Sequence, residues 1–300
     1  MTYYQNAFYG DDDSYSAYYN NNNIENYDDG TWTCCNDRQT LFILFYFAFC
    51  ALAILFHDTI LAKPVRLIAT FIHEMSHATV CWLTCGEVRG IQVYENDGGV
   101  TTFVGGMRCL IIPAGYVGLA FSAMTFVIMS AGRYMATVAI AGFTISLLVA
   151  LFFSPNRLLV CISLGYAMVN IIVTLIEYTA FTPILQFLVL YYGVTVGMYA
   201  IIDIHDDTVF AAIEGSDAHA CTTQVWPCCH PQTIGLQWSF MAILFQLIGI
   251  WVSLLQMSHE CTDLGFMQCL SVGFGASMED SDIDFEGLWV QFSNITGRNQ

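Results

Sequence analysis

Runs of about 20 apolar residues, separated by short polar breaks, dominate the chain between residues 40 and 257. A helix crosses the ~30 Å hydrocarbon core of a bilayer in about 20 residues, so each run is long enough to span it. Seven candidate spans follow, at residues 40–60, 65–85, 109–130, 134–153, 158–177, 182–203 and 237–257. The breaks Ala131-Gly132-Arg133 and Ser154-Pro155-Asn156-Arg157 leave room only for tight turns, which makes spans three to five antiparallel neighbours. A longer break, Glu87 to Gly106, has another pattern. There Ile91-Gln92-Val93-Tyr94 and Val100-Thr101-Thr102-Phe103-Val104 flank Glu95-Asn96-Asp97-Gly98-Gly99, two β-prone runs about a turn signal, and predict a β-hairpin. The expected fold is an all-α polytopic membrane protein of about seven transmembrane helices, with a small membrane-associated β-hairpin after the second.

Composition agrees with that pattern: 56% of the 300 residues are hydrophobic, 11% are charged, and mean hydropathy is +0.56. A soluble domain carries about twice that share of charge. The net charge of −17 changes the picture at the ends, because residues 1–38 and 258–300 supply −12 of it. Both stretches read as solvated, disordered acidic tails around a membrane core at 39–257. Eight Lys and Arg residues, spread over the whole chain, give no support to nucleic-acid binding. The expected setting is a multi-pass integral protein in a lipid bilayer. Basic residues near the span ends divide four against three and do not set its orientation. The sequon Asn294-Ile295-Thr296 would fit a C-terminus outside the cytosol.

Several polar or small residues have packing explanations. Ala114, Gly118 and Ser122 are each four apart and open one helix face to close approach. Cys50, Cys81, Cys109 and Cys161 lie in apolar spans, where a thiol behaves as a small hydrophobe. Asn170, midway along span five, is expected to bond across a helix interface. Glu177, His57 and Asp58 lie near span ends and are read as interfacial. Among the later polar residues, Cys221, Cys228, Cys229, His219 and His230 could form a second zinc site or a disulfide, although their spacing matches no standard finger.

The candidate chemistry lies in span two, at His73-Glu74-Met75-Ser76-His77. Residues four apart share a helix face, so the two imidazoles can reach one metal ion. In H-E-x-x-H spacing the histidines bind zinc, and the glutamate, not itself a ligand, takes a proton from the zinc-bound water. Three ionisable groups within five residues at bilayer depth are costly and mark a functional site.

With Thr84-Cys85-Gly86, the Gly98-Gly99-Val100-Thr101 turn and Ala114-Gly115-Tyr116-Val117-Gly118 following that helix, the chain resembles the site-2 protease family, in its compact peptidase-like branch. The resemblance covers about residues 60–220. It implies an intramembrane zinc metalloprotease that cuts membrane-protein substrates, with Glu74 catalytic and Zn2+ held by His73, His77 and a third ligand. Family members generally take that ligand from an aspartate on a later helix, commonly in an L-D-G motif, which this chain lacks. Asp203, directly after the apolar run Val194 to Ile202, is the expected ligand, with Asp206 and Asp207 next. Its position, about ten residues from the middle of span six, puts it roughly 15 Å from the expected depth of the histidines. Either span six is shifted or broken around Gly193 and Gly197, or the site lies nearer the surface than the span windows suggest. The alternative function is a catalytically inactive, metallopeptidase-like membrane scaffold or chaperone. A metal transporter ranks third, since it would need ligands on several spans.

Overall fold

The computed structural model describes residues 37–95, 98–180, 184–206, 216–226 and 229–258. Nearly all of both expected tails, the Asn294 sequon, Asp207 and Cys228 fall outside these residues. The elements in order are α1 (Asp37–Phe56), α2 (Lys63–Leu83), β1 (Glu87–Val93), β2 (Gly99–Val104), α3 (Arg108–Met129), α4 (Arg133–Phe153), α5 (Arg157–Ala180), α6 (Ile184–Ile204), α7 (Asp217–Gln224) and α8 (Pro231–Gln256). The protein is a mostly helical, multi-pass integral membrane protein. Among the described residues, six helices are long and apolar enough to cross a bilayer: α1, α3, α4, α5, α6 and α8. The remaining long helix, α2, is less apolar because His73, Glu74, Ser76 and His77 interrupt its apolar residues.

Helix α6 sits at the centre. It is apolar around its whole circumference, from Leu185 through Tyr192 and Val196 to Ala200, as a helix enclosed by others must be. Rings of α1 pack on it, Phe45 against Phe187 and Phe49 against Tyr191. The helix is continuous through Gly193 and Gly197, where sequence reasoning allowed a break. Both glycines serve close packing instead. A Cβ on Gly193 would lie 2.7 Å from the Val127 backbone nitrogen of α3, and one on Gly197 would overlap Gln246 of α8.

The tight turns behave as expected. Helices α4 and α5 form an antiparallel pair joined by residues 154–156, and Phe126 of α3 meets Phe143 of α4 edge to face. Asn170 of α5 takes the predicted packing role: its Nδ2 donates to Thr144 Oγ1 at 3.1 Å, and Tyr192 of α6 donates to its Oδ1 at 3.0 Å. Glu177 is fully buried. Its Oε1 lies 2.8 Å from Arg133 Nε, while Oε2 accepts from the Leu185 backbone at 3.0 Å, which ties α4, α5 and the start of α6 together. His57 and Asp58 pair with each other in the α1–α2 connection, 3.0 Å apart.

The predicted hairpin is present and antiparallel, pairing Val93 with Gly99 and Ile91 with Thr101, with an irregularity between Val88 and Gly90. Helix α2 leads into it through Cys85, a non-glycine residue with left-handed φ of 62°. The Gly86 amide then returns a bond to Cys81 O at 2.8 Å. Val88, Ile91 and Val93 bury themselves in the main core with Phe71, Ala78 and Cys81 of α2. From the other side, Asn156 Nδ2 donates to Val93 O at 2.5 Å. The hairpin is therefore held between α2 and the α4–α5 turn.

Candidate metal centre

Helical spacing on α2 brings the side chains of His73 and His77 together, with their Nε2 atoms 3.1 Å apart. His77 Nδ1 is 2.6 Å from the backbone oxygen of Ile111 on α3. A carbonyl can only accept, so Nδ1 carries the proton and Nε2 presents its lone pair. The His73 ring lies edge-on to Tyr116 of α3, at 4.5 Å between centroids, and Tyr116 packs in turn on Trp238 of α8.

The third group comes from α7. Ser216 caps this helix, accepting from the His219 amide at 3.3 Å, and Asp217 is its first residue. A carboxylate is favoured there by the positive end of the helix dipole. Ala218 and Cys221 on the same helix are fully buried against Ile112, Tyr116, Ile204, Ile234 and Trp238, which holds α7 against α3, α6 and α8. Arg108 of α3 bonds Gln224 at the far end of α7, at 3.2 Å. So fixed, Asp217 puts Oδ2 3.0 Å from Nε2 of both histidines.

This arrangement fits a metal ion. Asp217 Oδ2 is buried and has no hydrogen-bond partner, although it lies 3.0 Å from both ring nitrogens. One carboxylate oxygen and two imidazole nitrogens, mutually 3.0–3.1 Å apart, thus converge on a common point. A tetrahedral zinc with bonds of about 2.0–2.1 Å holds its ligand atoms about 3.3 Å apart. His73, His77 and Asp217 form the only group of three such residues close enough to hold a metal ion among the described residues. Burial alone would raise the Asp217 carboxyl, but the two imidazoles that face it, His77 foremost, together outweigh burial and hold the group well below the usual carboxylate range. Cys221, one turn further along α7, moves the other way: burial, then the nearby Asp217 carboxylate, push its thiol up.

Helix α3 closes the site because it can come very near. A Cβ on Gly115 would overlap Nε2 of both His73 and His77. Gly118, one turn on, lets α3 approach Ser76, whose Cβ and Oγ would each be 2.6 Å from an added methyl. The hairpin covers the other side. Glu74 is buried, and Thr101 Oγ1 of β2 lies 2.6 Å from its Oε2.

The sequence matches the peptidase M50B-like family model over residues 45–253, more than two-thirds of the chain. The chain belongs to the peptidase M50B-like family. This is the site-2 protease group that the motifs resemble, and it makes the chain a member of a membrane peptidase family. No curated protein and no solved structure matches the chain.

Within this member of the M50B-like family, His73, Glu74 and His77 stand together as the motif spacing requires. Asp203 does not join them. It lies in the last turn of α6 and is not part of the three-residue group; Asp206, just beyond, is exposed. A different element, α7, brings a carboxylate, that of Asp217, to the histidines. Sequence reasoning passed over Asp217 because it lies outside every apolar run. Its signal was the helix start Ser216-Asp217, followed by Ala218 and Cys221 at core spacing. The suspected second cluster does not assemble among the described residues: Cys221 faces the core, while Cys229 and His230 are exposed. Gly115 was visible only as part of a motif, and its contact with both imidazoles needs the fold.

Proposed function

We propose that this protein is an intramembrane zinc metalloprotease that hydrolyses peptide bonds of membrane-embedded substrates. The observation that carries the proposal is the convergence of His73 Nε2, His77 Nε2 and the unpartnered Asp217 Oδ2 beside the buried Glu74. These three residues would hold the ion and leave a fourth position open. When bound there, zinc supplies a water of lowered pKa and polarises the substrate carbonyl.

The chain's own residues do the rest. The Glu74 carboxylate takes a proton from the attacking water and delivers it to the departing amine, as a general base and then a general acid. Ile111 keeps His77 in the tautomer whose Nε2 is available. A substrate helix must unwind before its peptide bond can be reached, since its carbonyls are otherwise bonded within the helix. The hairpin beside Glu74 offers strand edges on which an extended segment can pair.

The carboxylate contributed by Asp217 also answers the reason for reading the chain as an inactive scaffold, which was the lack of an L-D-G aspartate. The test is Glu74→Gln in the purified full-length protein. Zinc content should stay at one per chain, while cleavage of a transmembrane reporter peptide falls by about 10²-fold or more. A variant that still cuts at the wild-type rate would remove Glu74 from the reaction.

A further inference from the structure

Glu74 is anchored to the hairpin at two points, both on Thr101. The Thr101 hydroxyl lies 2.6 Å from Glu74 Oε2 and 3.0 Å from the backbone oxygen of the same glutamate. One hydroxyl thus bridges a side chain to its own main chain, which fixes the rotamer of a residue that would otherwise sample several. The shorter contact goes to the carboxylate, where the bond is charge-assisted. Gly99, two residues earlier on β2, faces the same side of the strand. A Cβ there would overlap Glu74 Oε1 and come within 2.6 Å of its Cγ. A hydroxyl thus holds one carboxylate oxygen, and a missing side chain makes room for the other.

The clamp itself is braced. Thr101 pairs with Ile91 and Gly99 with Val93 across the hairpin, and both partners are fully buried. Val93 is held from behind by Asn156, whose Oδ1 accepts from the Leu158 amide at 2.8 Å while its Nδ2 reaches Val93 O. The position of Glu74 is therefore set by the hairpin as well as by the helix that carries it.

We propose that Thr101 is a positioning residue for the proton-transferring glutamate, with Gly99 as its steric counterpart, so that the hairpin sets catalytic rate in addition to any contact with substrate. This rests on the hydrolytic role proposed for Glu74. Thr101→Val keeps the shape and removes the hydroxyl; Thr101→Ser keeps the hydroxyl. With a quenched-fluorescent peptide carrying one apolar transmembrane segment in phosphatidylcholine vesicles, Thr101→Val should lower kcat by about 10–100-fold, the scale of a small misplacement of a reacting group. KM and zinc content should stay within about twofold, and Thr101→Ser should restore kcat to within about threefold of wild type. Gly99→Ala, which leaves the hydroxyl in place, should reproduce the loss of kcat and serves if Thr101→Val does not fold. The isotope-edited infrared band of the Glu74 carboxylate, assigned by difference from Glu74→Gln, should move in Thr101→Val and return in Thr101→Ser. Wild-type kcat in Thr101→Val, equal loss in the Val and Ser variants, or an unmoved band would each overturn the proposal. A wild-type protein that cuts no reporter would overturn the hydrolytic function alone, and the band would still decide whether Thr101 holds Glu74.

Discussion

Nε2 of His77 stands 3.0 Å from Oδ2 of Asp217, although the two residues are 140 positions apart in the chain. This is the carboxylate proposed above as the third zinc ligand, in place of the one on α6. Asp217→Ala should weaken zinc binding by more than about 100-fold, beyond the loss usual for groups one step removed from a metal. Asp203→Ala should leave it within about twofold. Zinc per chain, measured by elemental analysis after dialysis against a mild chelator, separates the two. Zinc loss in the Asp203 variant and retention in the Asp217 variant would reverse the assignment.

The two glycines of α3 predict different failures. At Gly115 an added methyl would overlap the metal-facing nitrogens of His73 and His77, so Gly115→Ala should lower zinc affinity by about 10–100-fold. At Gly118 the methyl meets the side chain of Ser76 instead. Gly118→Ala should therefore cost about 1–3 kcal/mol of stability through overpacking and leave zinc bound to the folded fraction. Thermal melts, together with zinc content, distinguish a damaged site from a crowded helix interface.

What the sequence made legible depended on whether the signal was local. The length of the apolar runs and the short turns identify the spans, and the β-prone runs about Gly98-Gly99 identify the hairpin. The pair His73 and His77 is legible for the same reason, since four residues on a helix fix their separation. The third carboxylate is not local. Which acid reaches the histidines depends on the packing of Ala218 and Cys221 against three other helices, and no window around Asp203 or Asp217 contains that information. The glycines show the same limit: Gly193 is compatible with a break and proves to be a place where α3 packs closely on α6.

Asn170 tests whether a buried polar residue in a span is structural. It bonds Thr144 on α4 and Tyr192 on α6, and lies outside the group formed by His73, His77 and Asp217. Asn170→Ala leaves the Tyr192 hydroxyl without its acceptor and should cost about 1–3 kcal/mol. The expected result is a lower melting temperature with kcat per folded molecule unchanged. A variant of wild-type stability that loses turnover would instead give Asn170 a part in the reaction.

Asn156 offers a way to loosen the hairpin without touching the site. Its amide joins the α4–α5 turn to Val93, and its carbonyl oxygen caps the start of α5 through the Leu158 amide. Asn156→Ala removes both bonds, at a cost of about 1–2 kcal/mol for the lost cap. Part of that loss should appear as local opening, because β1 keeps its apolar contacts with α2 but loses its support from the far side. Amides of residues 91–93 and 99–104 should exchange faster with deuterium, while those of α2 keep their protection. Since Gly99 and Thr101 hold Glu74 in place, the same variant should lose several-fold in turnover with zinc retained. Faster exchange with unchanged turnover would mean that the hairpin moves independently of the glutamate it touches.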